Sequence, residues 1–283
     1  MDLKNIFNQI EQADPEFYER ISPRRHILKS FGSKVALAAV PLALGSLFNK
    51  AYGKTTNTAT DALNFALQLE YLEYNFYEKA VNNTPGLIPT ADRGGLDKIR
   101  IHEKAHVDFL TQALSAAGAT PYTPATAYSG ADYTPNSFDF TAGGALPNYF
   151  LTLDYTTFLV VAQTFEDTGV RAYKGQAGNL IGSDYLLPAL QIHSAEARHA
   201  SHIRLLRRTK GDMTTKPWIT GKVAPAAVVQ GNYNGEENVT QLGINITSLP
   251  GLSSNIAVNT ATEAFDEPLD KAAVFSLVSA FYR

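Results

Sequence analysis

The sequence contains no cysteine. That absence removes disulfide bonds, thiolate zinc sites, iron–sulfur clusters and cysteine nucleophiles, so any metal must be held by carboxylates and imidazoles. An excess of charge of one sign is also missing, because 24 Lys and Arg stand against 27 Asp and Glu for a formal net charge of -3. With no basic stripe and no interleaved aromatics, nucleic acid is excluded as an expected partner. The apolar run "VALAAVPLALGSLF", Val35 to Phe48, is too short to span a bilayer comfortably. What remains is a 283-residue chain, 45% hydrophobic and 18% charged, with ample material for a core. One main domain with attachments is expected.

The first attachment is N-terminal. "SPRRHILKS", Ser22 to Ser30, followed by Lys34 and the apolar run, resembles a twin-arginine export signal with Arg24 and Arg25 as the pair. Pro23 and Ile27 depart from the usual form of such signals. "AYG" at Ala51 to Gly53 fits a small-x-small cleavage site, which sets residues 1–53 apart as a signal and starts the mature chain near Lys54. An uncleaved membrane anchor is the alternative. The resemblance implies an exported or periplasmic protein, with the export machinery as a partner.

Beyond the signal, four long segments have helical period, and each carries an acid on its apolar side. In the first, Leu63, Ala66, Leu67, Glu70, Tyr74 and Tyr77 form the stripe, with Thr60 as the expected N-cap and "NNTPG" from Asn82 as the stop. The second aligns Ile99, Glu103, His106, Leu110, Ala113 and Ala117 and closes at Gly118. The third, about Pro147 to Gly175, aligns Leu159, Ala162, Glu166, Val170 and Tyr173. In the fourth, "QIHSAEARHASHIRLLRR", Glu196 and His199 share a stripe with Ala189, Ile192, Ile203 and Leu206. A lone buried carboxylate is costly unless something neutralises it. A Glu-x-x-His pair presents an oxygen and a nitrogen side by side to a metal, although any single pair also fits a salt-bridged core.

Short loops join helices one and two and helices three and four, which makes each couple antiparallel neighbours. Between the couples runs "ATPYTPATAYSGADYTPNSFDFTAGGALP", rich in Pro, Gly, Ser and Thr and long enough to cross a bundle. The order Glu, Glu-x-x-His, crossover, Glu, Glu-x-x-His resembles the ferritin-like di-iron carboxylate superfamily. "LNFALQLEYLEYNFY", "FEDTGVRAY" and "EARHASHIR" more narrowly resemble the family that includes the plant desiccation-related proteins, over roughly residues 59 to 210. The late segment "EAFDEPLDKAAVF" is also similar to that group. The resemblance implies an all-α fold, a ferritin-like four-helix bundle over 54–210 with a long crossover between helices two and three. It further implies Glu70, Glu103, His106, Glu166, Glu196 and His199 as ligands to two divalent ions, Fe or Mn, with Glu103 and Glu196 as bridges.

Other polar residues receive more modest expectations. Glu73 reads as a helix-edge charge, with a role beside the ligands as the lesser alternative. His193 is expected on the rim, and His102 and His202, off the stripe, facing solvent. Tyr74, Tyr77 and Tyr173 either line a metal pocket, where they could donate electrons, or pack the core. Residues 211–283 form an extension of loops with a short strand or two. It ends in a fifth helix capped by Asp266, with Pro268 in its first turn and Leu269, Ala273, Leu277 and Phe281 on one face; covering the bundle or forming a homodimer are its expected roles.

Four carboxylates and two neutral imidazoles balance two divalent cations, and such oxygen-rich coordination suits Fe(II) or Mn(II). The leading expectation is redox chemistry on ferrous iron, dioxygen or peroxide, as a ferroxidase-like or peroxide-reducing protein. A manganese catalase and a non-enzymatic, stress-protective metal binder are the alternatives. The absence of cysteine argues against a rubrerythrin-type enzyme, which needs a thiolate iron site.

Overall fold

The computed structural model describes residues 59–124, 138–249 and 254–282. The expected signal, its arginine pair and its cleavage site lie outside the described residues. Among the described residues, four long helices make the frame: α1 (Ala59–Asn82), α2 (Thr90–Ala116), α3 (Tyr155–Gln176) and α4 (Leu186–Thr209). None of them is long and apolar enough to cross a membrane. The fold is all-α, with a single two-residue hairpin, Thr240–Gln241 against Ile244–Asn245, as its sheet among the described residues.

Helix ends follow local chemistry. At the end of α1 the Lys79 carbonyl accepts from Asn83 N at 3.2 Å and from the Thr84 hydroxyl at 2.9 Å, which closes the last turn. Gly86, at φ 89°, turns the chain, and Pro89 leads into α2. α1 already includes Ala59, so Thr60 lies within the helix instead of capping it. α2 begins at Thr90 and therefore carries Gly94 and Gly95 inside its first turns. Gly95 has a packing reason, since a Cβ there would stand 2.5 Å from His202 Nε2.

The expected helix from Pro147 to Gly175 is interrupted. Tyr149–Thr152 forms one turn, Leu153 adopts a left-handed φ of 54°, and Asp154 restarts the helix by accepting bonds from Thr157 N at 3.1 Å and Thr157 Oγ1 at 2.6 Å. The break aims the end of the crossover at the core. Phe140, Tyr149, Phe150, Phe158 and Phe165 surround Phe76, the Phe158 ring stacking on it at 4.9 Å.

The apolar core lies in two parts. One contains Leu72, Phe76, Leu96, Ile99, Phe158, Phe165 and Ile203; the other contains Leu63, Leu67, Val107, Leu110, Tyr173, Ala189 and Ile192. On α2 and α4 the changeover between the two parts falls at the acid, Glu103 and Glu196.

The C-terminal segment covers the outer side of α3, which is why that helix is buried nearly all round. Arg171, 1% exposed, anchors it by donating to the carbonyls of Glu267, Asn232 and Asn234 and by pairing with Glu236 at 2.7 Å. Leu269 N bonds back to Arg171 O at 3.1 Å, holding residues 266–269 out of a helix. The last helix, α5 (Lys271–Val278), consequently starts later than expected, with Asp270 rather than Asp266 capping it through Ala273 N at 2.7 Å. Val274 and Val278 are its fully buried residues, while Leu269, Ala273 and Leu277 are half-buried. Phe138 pairs with Tyr282 and closes the crossover against the C-terminus.

Candidate metal centre

Glu70, Glu103, Glu166 and Glu196 are fully buried, and His199 is 5% exposed. His106 is the member of the group most open to water, its side chain 12% exposed. Its Nδ1 lies 3.1 Å from Glu70 Oε2, 3.2 Å from Glu103 Oε2 and 3.1 Å from Glu196 Oε1. His199 Nδ1 lies 2.9 Å from Glu103 Oε1, 3.4 Å from Glu166 Oε2 and 3.6 Å from Glu196 Oε2. Two overlapping sets result. Glu70, Glu103, His106 and Glu196 converge on one point, and Glu103, Glu166, Glu196 and His199 on another, ligand atoms within 4.8 Å in each. Glu103 and Glu196 belong to both.

The donor atoms fit a cation. Glu103 Oε1, Glu166 Oε2, both Glu196 oxygens and His199 Nδ1 are buried without a hydrogen bond, the short His–Glu distances notwithstanding, because their angles are wrong for one. Unsatisfied buried acceptors are rare and costly, and several pointing at one space mark a place for positive charge.

The electrostatics agree. Burial first, then the Glu196 charge, pushes Glu103 well above the carboxylate range. Burial pushes Glu166 up to about 7 against the pull of His199. Glu196 is held below its ordinary value, although burial opposes it, by the imidazoles of His106 and His199 beside it. Both imidazoles are raised despite their own burial, by the acids around them. Protons occupy the ground that a cation would otherwise neutralise.

Glu73 corrects the expectation of a helix-edge charge. It is 4% exposed and pushed well upward by burial and by the acids nearby, Glu196 foremost. Gly169 makes the room: a Cβ there would meet Glu73 Oε1 at 3.2 Å and Glu196 Oε2 at 3.8 Å. One turn from Glu70, Glu73 was visible as a Glu-x-x-Glu, and a glycine one turn after Glu166 was the complementary signal.

The tyrosines divide. Tyr77 donates to Glu166 Oε1 at 2.5 Å, and Tyr173 donates to Glu70 Oε1. Tyr74 packs half-buried against the apolar layer near α2 and α4. His102 is exposed as expected, yet its Nδ1 lies 3.0 Å from His199 Nε2. With the His199 Nε2 proton donated to His102, Nδ1 keeps a lone pair directed at the acids, the tautomer a cation requires. His202, expected in solvent, is half-buried under α2 at Gly95. His193 is half-buried, its pKa lowered by burial and by Lys174.

A family model described as a ferritin-like domain matches residues 58–209, more than half of the chain. The chain belongs to the ferritin-like family. The match begins at α1 and ends with α4, so the four helices that supply the buried acids lie within the ferritin-like domain. α5 and the hairpin fall outside it. No curated protein matches the chain in sequence.

Proposed function

We propose that this protein is an exported di-metal member of the ferritin-like family that performs redox chemistry on ferrous iron, dioxygen or peroxide. One observation carries the reading: two four-residue donor sets share Glu103 and Glu196. Glu70 and His106 would complete one ion's ligands, and Glu166 and His199 the other's. A pair of iron or manganese ions held by these residues would supply redox chemistry at the centre.

The chain's own residues set the conditions. Four ligating carboxylates balance two divalent charges, and burial with the neighbouring acids pushes Glu73, a fifth carboxyl, well above its ordinary value. Tyr77 and Tyr173 fix the outer oxygens of Glu166 and Glu70. The two apolar layers exclude bulk water above and below, and the His106 side gives access. The likeness of "FEDTGVRAY" and "EARHASHIR" to desiccation-related proteins supports a stress-related setting, and "SPRRHILKS" supports export.

The test is reconstitution of the mature chain with Fe(II) or Mn(II), with an expected content of about two ions per chain. Full occupancy in a Glu103→Ala, Glu196→Ala double variant overturns the assignment. The reduced iron form should change its visible absorption with dioxygen or peroxide, and His199→Ala should lose that response while staying helical. Oxygen evolution from peroxide by the manganese form would identify a catalase instead. Silence of both forms leaves a protective metal binder. Replacing Arg24 and Arg25 with Lys, which keeps charge but loses the guanidinium fork, should retain the protein inside the cell; continued export sinks the twin-arginine reading.

A further inference from the structure

Beside the C-terminal end of α4, apart from the acid cluster, lies a cavity of about 410 Å³. Its floor is Gln163, Arg204 and Arg207, and its walls come from residues 212–225 with Asn259 at the lip. None of the candidate metal ligands lines it. The volume falls in the range of about 300–1,000 Å³ typical of small-molecule sites.

The floor is rigid and its charges are already matched. Arg204, 4% exposed, forks onto Asp167 at 3.1 and 2.5 Å and donates to Trp218 O at 3.0 Å. Arg207, 8% exposed, donates to Gln163 and to Asp212 Oδ2 at 2.6 Å. Lys216 on the wall pairs with Glu263. An arriving anion therefore finds no uncompensated cation, and would have to displace a built-in carboxylate.

The wall offers other chemistry. Trp218 is 51% exposed and lines this wall, and Glu263 beside it receives the Thr220 hydroxyl at 2.8 Å. The Trp218 indole gives the cavity an aromatic wall. Around it stand the hydroxyls of Thr214 and Thr215, the Asp212 carboxylate and the Asn259 amide. An aromatic wall among hydrogen-bonding groups of both kinds, with no spare charge, suits a ligand that has an apolar C–H face and a rim of hydroxyls.

We infer that this cavity is a binding site for a small neutral polyhydroxylated molecule, of the size of one sugar ring, stacked on Trp218. The site is independent of the metal reading.

Trp218 is the single tryptophan of the chain, so its fluorescence reports on the cavity alone. The full chain would be titrated with D-glucose, myo-inositol and D-mannitol, and with glucuronate and inorganic phosphate as charged comparators. A saturable change with at least one neutral compound in the millimolar range is expected. By calorimetry, Trp218→Ala should abolish that binding, Trp218→Phe should retain most of it, and Asn259→Ala, at the exposed lip, should weaken it about tenfold, the worth of one hydrogen bond. Circular dichroism and metal content should be those of the parent in each variant. A flat response to all three neutral compounds, or a response to glucuronate or phosphate only, overturns the proposal; so does unchanged binding in a folded Trp218→Ala protein.

Discussion

Tyr77 on α1 donates to Glu166 on α3, and Tyr173 on α3 donates to Glu70 on α1. Each tyrosine stands two turns beyond the glutamate of its own helix and serves the glutamate of the other. The exchange ties α1 to α3 across the buried acids and fixes one oxygen of each carboxylate, leaving the second oxygen free to face the cluster.

Removing either hydroxyl should loosen the centre without unfolding it. Tyr77→Phe and Tyr173→Phe are each expected to weaken Mn(II) binding by about tenfold, as losses of hydrogen bonds to metal ligands do. Competition with a chelator reads the effect. Unchanged affinity in both variants would mean that the two bonds serve packing alone.

Proton release should accompany metal binding. The acids raise both His106 and His199, and burial pushes Glu166 up to about 7, so a cation must displace protons held at neutral pH. Affinity is expected to rise with pH, most steeply below about 7, where Glu166 also carries its proton. Calorimetry in buffers of different ionisation enthalpy counts the protons released. A count of zero contradicts ligation by the imidazoles.

Two glycines separate close approach from mere flexibility. A Cβ on Gly175 would stand 1.8 Å from Leu269 O, whereas one on Gly94 meets nothing within 4 Å. Gly175→Ala should force the C-terminal segment off α3 and cost about 3 kcal/mol or more. Gly94→Ala, in a helix, should instead be neutral or gain up to about 1 kcal/mol. Urea unfolding of the two variants provides the comparison.

Away from the metal cluster, Glu236 gives a pH dependence of stability. Burial pushes it up to about 7 from an ordinary 4.5, against the pull of Arg171. Between those values the folded chain keeps a proton that the unfolded chain has lost, so this group's contribution is full below about 4.5 and declines as pH rises to about 7. Glu236→Gln should flatten that part of the stability profile. A profile identical to the parent's would show that Arg171 holds Glu236 ionised throughout.

The sequence by itself determined the helical stripes and the acids on them. Helical spacing is local: Glu103 with His106, and Glu196 with His199, share a face whatever surrounds the helix, and "NNTPG" ends α1 by its own turn chemistry. The number of buried faces was not local. α3 reads as a one-sided stripe, yet its outer face is covered by a segment about a hundred residues later, through Arg171 and Leu269. Only the tertiary structure decided that Glu73 is buried, because its space comes from Gly169 on another helix. It likewise brought the exposed His102 to His199, and it broke the expected third helix at Leu153 so that Tyr149 and Phe150 could reach Phe76. In each case the deciding contact joins residues on different elements, and periodicity along one helix carries no information about what lies against its other sides.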